Sequence, residues 1–355
     1  MALRPLAPGM KNFYCLLFPF LFLTFFADVE PVSVPDRKIL MFWNLENLFV
    51  PWGGPDSLVA EFRYGGKRGW SYSRYLKKCA AIAKTVVYLE DSLGRRPDFI
   101  AVAEIENRTV LNNLVSLTPL HGYPYLPVHY DSPDRRGIDV GLLYDSSRYS
   151  LVSSCARPVV KDSVILATRS ILYACFVRKF HAPFIRDTAG ADARADTSVD
   201  ARADTLHIFV NHHPSKFSGA EASQPLRDAA MRLLASLADS VAVRHPGHEV
   251  VLTGDFNDVP SSAALKGAPG FVNLSYRLHE EGFGTIKYAG KWELIDHFIV
   301  SPQVAGRCST YVFSPAFLLE KDRKGLGYKP CRTYIGPRYN GGVSDHLPIV
   351  LEIFY

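Results

Sequence analysis

Six apolar segments of this chain each end in a cluster of acidic, amide or imidazole side chains. An apolar run that passes directly into such residues is typical of a buried strand that reaches the edge of its sheet. Segments with helical periodicity separate some of these runs, as at residues 71–90, with Ser71 or Ser73 as the N-cap, and at residues 221–243. Other runs follow one another directly. The pattern favours an α/β fold with mixed sheets in a single domain.

Composition excludes several other classes of protein. Hydrophobic residues make up 48% of the 355 residues, which is enough to bury a core and excludes a disordered chain. The chain has six cysteines, 25 glycines and no heptad pattern, which excludes a small disulfide scaffold, a collagen and a coiled coil. A bridge between Cys308 and Cys331 is left open. The formal net charge of +5 is compatible with a phosphate-bearing substrate.

The N-terminus has the features of an export signal. Residues 13–26 form an apolar stretch after Lys11, and about 14 residues is short for a membrane-spanning helix, which needs about 20. We predict a signal peptide over residues 1–27, with Met10 as a second candidate start, then a linker over residues 28–37 and one domain over residues 38–355. The protein would be periplasmic or secreted, and an uncleaved N-terminal membrane anchor is the alternative.

One segment of this domain differs from the rest. Residues 192–197 read DARADT, and residues 200–205 repeat the same six letters. Between residues 187 and 205, acidic side chains outnumber basic ones and Val199 is the only large apolar residue. We predict a disordered, solvent-exposed insertion over residues 187–205.

The polar strand ends hold side chains that are suited to phosphoester chemistry. Asp255 and Asn257 follow Gly254, and a carboxylate two residues from an amide can orient a water molecule. Asp296 lies inside an otherwise apolar strand, where a carboxylate needs a cation or a histidine as its partner. The other four ends contribute Asn44, Glu104, His212 and the adjacent pair Asp345 and His346.

Oxygen ligands dominate these clusters and no cysteine joins them, which suits Mg²⁺, with Mn²⁺ as a substitute, better than a structural zinc site. Carboxylates and histidines around a hard metal ion are suited to phosphoester hydrolysis, because the metal neutralises the phosphate while an acidic side chain positions water. A zinc hydrolase is the alternative, although no HExxH motif or equivalent occurs in the sequence.

The six segments, in this order, resemble the endonuclease/exonuclease/phosphatase superfamily, which has the fold of DNase I and of exonuclease III-type AP endonucleases. Gly-Asp-Phe-Asn at 254–257 and Ser-Asp-His at 344–346 are its most specific marks, and the resemblance extends from about residue 39 to residue 355. Residues 136–144 and 332–342 look like the branch found in exported bacterial members. The resemblance implies a four-layer α/β sandwich, in which two mixed β-sheets are flanked by helices.

The same resemblance implies roles for individual residues. Asn44 and Glu104 would hold the metal ion, with Asp345 beside them. The catalytic set would be Asp255, which activates water, Asn257, which helps it, His346 at the scissile phosphate, Asp296, which fixes the tautomer of that histidine, and His212 as a second phosphate-side histidine. Ala103 stands where many members have glutamine, so the surroundings of Glu104 are altered.

Family resemblance implies a reaction type and leaves the substrate open. Residues 63–78 hold six basic side chains interleaved with four aromatic ones, which suits contact with a phosphate backbone and base stacking. A solvated helix face is the alternative. Arg68, Arg74 and Lys78 are the candidate substrate contacts, and a second basic and aromatic stretch spans residues 321–339.

We predict an exported, Mg²⁺-dependent endonuclease that is a monomer, has nucleic acid as its substrate and needs no protein partner. A phosphodiesterase or phosphatase acting on lipid headgroups or small phosphoesters is the alternative, which would need an apolar docking hairpin. A non-catalytic binding protein on the same scaffold is disfavoured, because every candidate catalytic position carries a competent side chain.

Overall fold

The computed structural model describes residues 36–53, 59–179, 204–216, 219–263, 265 and 270–355. The predicted signal peptide lies outside these ranges, as does nearly all of the predicted insertion, so both stay predictions, and so does export. Two boundaries are corrected: Arg37, assigned to the linker, begins a strand, and Thr205, assigned to the insertion, begins another. Within the described ranges, no helix has the length and apolar character that crossing a membrane requires.

The helices are α1 (Tyr72–Leu93), α2 (Arg108–Ser116), α3 (Ala220–Arg244), α4 (Ser275–Glu280) and α5 (Pro302–Ala305), with 3-10 turns at Ala60–Phe62, Pro119–Gly122 and Ala316–Leu318. The strands are β1 (Arg37–Leu48), β2 (Phe99–Ile105), β3 (Tyr125–His129), β4 (Asp139–Asp145), β5 (Tyr149–Arg157), β6 (Val160–Lys161), β7 (Val164–Ile165), β8 (Ile171–Arg178), β9 (Thr205–His212), β10 (Glu249–Asp255), β11 (Val272–Asn273), β12 (Ile286–Tyr288), β13 (Lys291–Glu293), β14 (Asp296–Val300), β15 (Cys308–Val312), β16 (Leu319–Lys321), β17 (Tyr328–Pro330), β18 (Tyr334–Ile335), β19 (Arg338–Tyr339) and β20 (Ile349–Phe354).

Twelve of these strands form two six-stranded sheets. The first has the order β15-β20-β1-β2-β4-β3, and the second has the order β11-β14-β10-β9-β8-β5. Each sheet is mixed, with one parallel pair, β1–β2 in the first and β9–β10 in the second, among antiparallel neighbours. The remaining strands form four short hairpins.

The alternation of side chains along β1 explains how the layers stack. Leu40 and Phe42 point into the core between the sheets, where they join Phe176 and Ile208 of the second sheet. Residues at the intervening positions, such as Trp43, pack on the opposite face against α1 and α2. Helix α3 covers the outer face of the second sheet. The four-layer α/β sandwich implied by the family resemblance is confirmed.

The predicted helices are confirmed, and α1 is capped by Ser71, whose Oγ accepts from the backbone N–H of Arg74 at 3.3 Å. Strands β7 and β8 are separate, and between them Arg169 pairs with Asp134 at 2.9 Å. Cys308 and Cys331 are free thiols, so the bridge that the sequence left open does not form in the structure.

Candidate active site

The polar strand ends meet at one edge of the sandwich. Parallel pairing brings the carboxyl ends of β1 and β2 together with Asn44 and Glu104, and does the same for β9 and β10 with His212 and Asp255. Strand β14 runs antiparallel to β10, so its first residue, Asp296, lies at the same edge. The chain between β19 and β20 adds the Ser-Asp-His segment at 344–346.

Strand register places the partners of Asp255. Asp255 lies opposite Asp296 in the antiparallel pair and beside His212 in the parallel pair. Gly254 makes this close pairing feasible, because a Cβ atom there would lie 2.0 Å from the backbone oxygen of Asn211, and its φ is 155°. The register therefore delivers three ionisable side chains to one point.

Asp255 is buried and surrounded by donors. Its Oδ2 accepts from Asn44 Nδ2 at 3.0 Å, and its Oδ1 accepts from the backbone N–H of Asn257 at 2.9 Å. The Nε2 atoms of His212 and His346 lie 3.4 and 3.8 Å from Oδ2. The structure thus brings together five of the residues that the sequence assigned to the site, and their catalytic roles stay predictions.

Neighbouring groups fix the imidazole of His346. Its Nδ1 donates to Asp296 Oδ2 at 2.8 Å, and its backbone N–H donates to the Ser344 hydroxyl at 3.0 Å. That hydroxyl donates to the backbone oxygen of Asn44 at 2.6 Å, and Trp43 Nε1 donates to the backbone oxygen of His346 at 2.8 Å. These bonds tie the Ser-Asp-His segment to β1 and direct Nε2 towards Asp255.

The two histidines differ in protonation. Burial alone would lower the pKa of His346, but the carboxylates of Asp296 and Asp255 outweigh it and raise that pKa well above its usual value. Burial and the nearby cation of Arg169 lower the pKa of His212 well below its usual value. Burial and Asp296 raise the pKa of Asp255 to about 7. At neutral pH the site therefore holds an imidazolium, a neutral imidazole and a carboxyl group close to its own pKa.

A second group of carboxylates lies next to these residues: Glu46, Glu104 and Asp345. Arg332 bridges two of them, with Nε 3.1 Å from Glu46 Oε1 and Nη2 2.8 Å from Asp345 Oδ2. Glu104 accepts from the backbone N–H of Asn47 at 2.9 Å. We call Glu46, Glu104 and Asp345 the carboxylate cluster.

Positive φ values and shifts in strand register determine where the side chains of the carboxylate cluster lie. Glu46, Asn47 and Glu104 have φ values of 46°, 56° and 60°, in the left-handed region that side chains other than glycine seldom adopt. The register between β1 and β2 shifts after Asn44, and the register between β2 and β4 shifts after Ala103. Such shifts occur at β-bulges, which can redirect a side chain next to an active site.

Lys78 corrects one prediction. It was assigned to substrate binding, but it is only 2% exposed and donates to the backbone oxygen of Glu46 at 2.6 Å and to Thr333 Oγ1 at 2.8 Å. Burial lowers its pKa to about 8, against the opposing effects of Glu46, Asp345 and Glu104. Lys78 is therefore an internal cation behind the carboxylate cluster, where a phosphate backbone cannot reach it.

The other two predicted substrate contacts lie nearer the surface. Arg68 lines a cavity of about 290 Å³ beside Glu46 and Arg332, and its guanidinium lies 5.2 Å from the centre of the Tyr334 ring. Arg74 donates to the backbone oxygens of Arg68 and Gly69 and lies over the ring of Tyr339 at 4.2 Å. Arg68 therefore borders the site directly, whereas Arg74 supports the surrounding loop.

Sequence reasoning assigned Asn44 to the metal and gave Glu46 no role. In the structure the Asn44 amide is buried, donates to Asp255, and accepts from the backbone N–H of Glu46 at 3.0 Å. Glu46 instead joins the carboxylate cluster, and burial and Asp345 raise its pKa to about 7. The sequence did contain a signal for Glu46, because it is an acidic residue two positions after Asn44 at the end of the same strand.

The carboxylate cluster offers the kind of donor atom that a hard divalent cation prefers. Its donors are oxygens, and mutual repulsion between Glu46 and Asp345 is one cause of the raised pKa of Glu46, which a bound cation would relieve. Asp255, Asp296 and His346 also have ligand atoms within 4.8 Å of one another. Asp296 and His346 already hydrogen-bond to each other at 2.8 Å, and Arg332 already contacts Glu46 and Asp345 of the carboxylate cluster, so both groups hold partners in the absence of a metal ion.

Glu104 and Asp345 of the carboxylate cluster, with Asp255 and His346, line a cleft of about 960 Å³. Its wall also contains cations that sequence reasoning did not assign to the site. Arg136 lies 3.7 Å from Glu104, and the buried Arg169 donates to the backbone oxygen of His212 at 3.1 Å. The other cationic residues of the lining are Arg135, Lys287 and Arg332. In the sequence, Arg169 is separated from other polar site residues, so only its tertiary contacts reveal it.

The four-layer sandwich, with carboxylates and histidines at one edge, defines a DNase I-like phosphoesterase fold. The chain belongs to the endonuclease/exonuclease/phosphatase family, whose model matches residues 39–180 and 193–354. Members of this superfamily are hydrolases that act on phosphoesters. No curated protein sequence is significantly similar to this chain.

Solved structures share the fold at low sequence identity. The human Nocturnin catalytic domain with bound sulfate is 15% identical, with a TM-score of 0.51, over 89% of this chain and 93% of that one. TDP2 from D. rerio, complexed with a single-strand DNA product, is 14% identical, with a TM-score of 0.51, over 90% and 100%. A mannosyl-6-phosphatase from Bacteroides thetaiotaomicron is 16% identical, with a TM-score of 0.50, over 90% and 100%.

Proposed function

We propose that the protein is a divalent-metal-dependent phosphodiesterase that cleaves nucleic acid. The observation that carries the proposal is the buried Asp255, which lies between a neutral His212 and a His346 held as an imidazolium by Asp296. A carboxylate with a pKa of about 7 is suited to take a proton from water at neutral pH.

Each residue around Asp255 has a separate part in this proposal. Asn44 and the backbone of Asn257 orient the carboxylate, so that Asp255 holds the attacking water and accepts its proton. The imidazolium of His346 stabilises negative charge that develops on the phosphate oxygens, and Asp296 keeps that proton in place. His212 contacts the phosphate from the other side of Asp255 through hydrogen bonding rather than charge.

The metal ion would be held by Glu104, Asp345 and Glu46, and Asn44 stays a predicted ligand. When bound, Mg²⁺ or Mn²⁺ would supply positive charge to the phosphate oxygens and to the leaving oxygen. Removal of the metal should abolish hydrolysis, because the carboxylate cluster would then repel a phosphate.

Charge in the cleft supports nucleic acid as the substrate. Arg135, Arg136 and Arg332 line a cleft that is larger than a single phosphate needs, whereas Arg169 and Lys287 in the same lining are held in ion pairs with Asp134 and Asp322. Such a row of cations suits a polyanion that extends beyond the scissile group. Solved relatives of this fold include a protein bound to a DNA product and a sugar phosphatase, so a small phosphomonoester is the substrate to test against nucleic acid.

A substrate panel tests the proposal. The protein is incubated with plasmid DNA, single-stranded DNA, RNA, a sugar phosphate, a phosphoinositide and bis(para-nitrophenyl) phosphate, in Mg²⁺, Mn²⁺ or EDTA. We expect nucleic acid and the diester reporter to be cleaved with metal and not with EDTA. Cleavage of the sugar phosphate or the phosphoinositide alone would overturn the proposed substrate, and no hydrolysis of any member would overturn the function.

Two variants separate chemistry from metal binding. Asp255→Asn keeps the shape but removes the basic carboxylate, so turnover should fall about 10²- to 10⁴-fold while Mg²⁺ still raises the melting temperature. Glu104→Gln should lose both turnover and the Mg²⁺-dependent shift. Asp91→Asn, an exposed substitution on α1, is the matched control. Full activity of Asp255→Asn on every substrate would contradict the mechanism.

A further inference from the structure

One hairpin lines part of the cleft and a second hairpin packs against it, and we call the two together the hairpin wall. The first is β12–β13, over residues 286–293, and the second is β16–β17, over residues 319–330. Ile286, Lys287 and Tyr288 line the same cleft as Asp255 and His346. The wall is therefore continuous with the proposed catalytic site.

The first hairpin has a tight and well-defined turn. Tyr288 pairs with Lys291, and the two residues between them, Ala289 and Gly290, both have positive φ values, 48° and 82°. This is the backbone of a two-residue hairpin turn whose twist matches that of its strands. The turn holds Tyr288 at a fixed place on the rim.

An internal ion pair locks the two hairpins together. Lys287 lies 3.2 Å from Asp322, with side chains only 3% and 8% exposed, and it donates to the backbone oxygens of Leu326 at 2.5 Å and Tyr328 at 3.2 Å. The turns touch as well, because a Cβ atom on Gly325 would lie 3.3 Å from Gly290 Cα. Lys287 is thus used for structure, and the wall does not need to order itself when it binds a ligand.

The exposed surface of the wall is aromatic and basic. Tyr288 is 73% exposed and Tyr328 is 55% exposed. Lys291, Arg323 and Lys324 are exposed at or beside the two turns. An exposed aromatic ring on a rigid element, with cations around it and a catalytic cleft beside it, calls for a ligand that has both flat faces and negative charge.

We propose that the hairpin wall binds a single-stranded nucleic-acid segment that flanks the scissile phosphate, with a base stacked on Tyr288 and backbone phosphates near Lys291, Arg323 and Lys324. This inference rests on the proposed function and narrows its substrate class. A single strand is required, because the bases of a duplex are already stacked on each other and cannot present a face to Tyr288. Rigid placement of Tyr288 lowers the entropic cost of stacking.

A membrane surface is the other ligand with affinity for exposed aromatic and basic residues. Leu326, which is 93% exposed, would be its anchor. The position of Tyr288 in the lining of the cleft favours nucleic acid, because a residue in the wall of the concave cleft that also contains Asp255 and His346 is placed to contact substrate rather than a flat bilayer. Membrane binding is therefore an outcome that the experiment must distinguish.

The test measures binding by fluorescence anisotropy in Mg²⁺, with every protein carrying Asp255→Asn so that the probe is not cleaved. The probe is an oligothymidylate of about 12 nucleotides, a length within the range that single-strand sites cover. Tyr288→Ala should weaken binding at least about fivefold, the loss expected for one stacked base. Tyr288→Phe should restore it, because phenylalanine keeps the ring. Tyr276→Ala, which removes a half-exposed tyrosine that does not line the cleft, should bind like the parent.

The contribution of the basic residues and the possibility of lipid binding are tested in proteins that also carry Asp255→Asn. The double variant Arg323→Gln, Lys324→Gln should lower the salt dependence of oligothymidylate binding, because fewer counterions are released. Equal affinities for the parent and Tyr288→Ala, or a duplex bound more tightly than the single strand in a Tyr288-dependent way, would overturn the proposal. A membrane role would also overturn the proposal. It would be indicated if the protein cosediments with phosphatidylcholine–phosphatidylserine vesicles, Leu326→Ser abolishes this cosedimentation, and Tyr288→Ala leaves oligothymidylate binding unchanged.

Failure of this inference is separable from failure of the proposed function. Wild-type turnover of bis(para-nitrophenyl) phosphate with Mg²⁺ or Mn²⁺ reports on the hydrolytic site and not on a flanking strand. If the reporter is hydrolysed but Tyr288 has no effect on strand binding, the phosphodiesterase stands and the hairpin wall is not its strand-binding surface.

Discussion

Asp255 and Asp296 lie opposite each other on neighbouring strands, and their proximity controls the charge of the whole site. Two buried carboxylates at this separation cannot both ionise at low cost, so the pKa of Asp255 rises, while His346 gains a proton that it shares with Asp296 through a hydrogen bond. The conformation at Asn257, with a φ of 52°, lets its backbone N–H reach Asp255. Single side chains thus set the protonation that the proposed chemistry needs.

This arrangement predicts the pH dependence of hydrolysis. Below pH 7 Asp255 binds a proton and cannot accept one from water, so kcat/KM for the diester reporter should rise about tenfold per pH unit and level off near pH 7. The rate should fall again only well above the usual pKa of histidine, where His346 loses its proton.

Asp296→Asn tests the cause of both limbs of the pH–rate profile, the rise towards pH 7 and the fall at higher pH. The variant removes the charge that raises the pKa of Asp255 and that of His346, so both limbs should move to lower pH, measured by reporter turnover between about pH 5 and 9. A wild-type profile that is flat from pH 5 to 8 would show that Asp255 does not titrate in the rate-determining step.

At the level of elements, α1 and the end of β1 form one unit with the site. Lys78 on the buried face of α1 reaches the backbone of Glu46, where β1 bulges, and the segment before β18 through Thr333. Three elements that are distant in sequence therefore meet at one ammonium group. That group offsets part of the negative charge of the carboxylate cluster.

Lys78→Met should destabilise the fold. It removes the two buried hydrogen bonds to the backbone oxygen of Glu46 and to Thr333 Oγ1 and leaves Glu46 and Asp345 with less compensation, so the free energy of unfolding should fall by about 1–3 kcal/mol. Denaturant unfolding followed by far-UV circular dichroism measures this. Lys77→Met changes the neighbouring, exposed lysine on the same helix and should stay within about 0.5 kcal/mol of wild type. Equal losses in the two variants would indicate a general effect on α1 rather than a role for the buried amine.

At the scale of the whole molecule, Pro35–Tyr355 forms one compact unit. Its two sheets share the core around Phe42, Phe176 and Leu351, and the helices cover the outer faces. Residues of both sheets build the site, since Asn44 of the first contacts Asp255 of the second. Correct packing of the sheets is therefore a condition for assembly of the catalytic group.

A chain that starts at Pro35 should fold and work by itself. We expect the same melting temperature and the same kcat/KM for the diester reporter as those of the full chain, because the core and the cleft lie within this unit. Differential scanning calorimetry and reporter assays on both chains provide the comparison. A shortened chain that is soluble but unfolded would show that residues before Pro35 contribute to stability.

Local sequence patterns determined the layers and the positions of the main site residues. Apolar runs that end in polar residues identify buried strands whose ends reach a sheet edge, and this holds for Asp255, His212 and Glu104 because it depends only on residues that are adjacent in the chain. The motifs at 254–257 and 344–346 indicated the family, and through it the four-layer sandwich.

Tertiary structure alone decided which charged residues are internal and which face the substrate. Lys78 reads in sequence like Arg68 and Arg74, one more cation in a basic stretch, yet it is buried because the packing of α1 against β1 directs it inward. Glu46, Arg169 and Arg332 joined the site through contacts between elements far apart in the chain. The bulge in β1 at Glu46 and the register that sets Asp255 opposite Asp296 depend on how two strands pair rather than on either strand by itself, and the contacts of Arg169 and Arg332 depend on the loops that carry them.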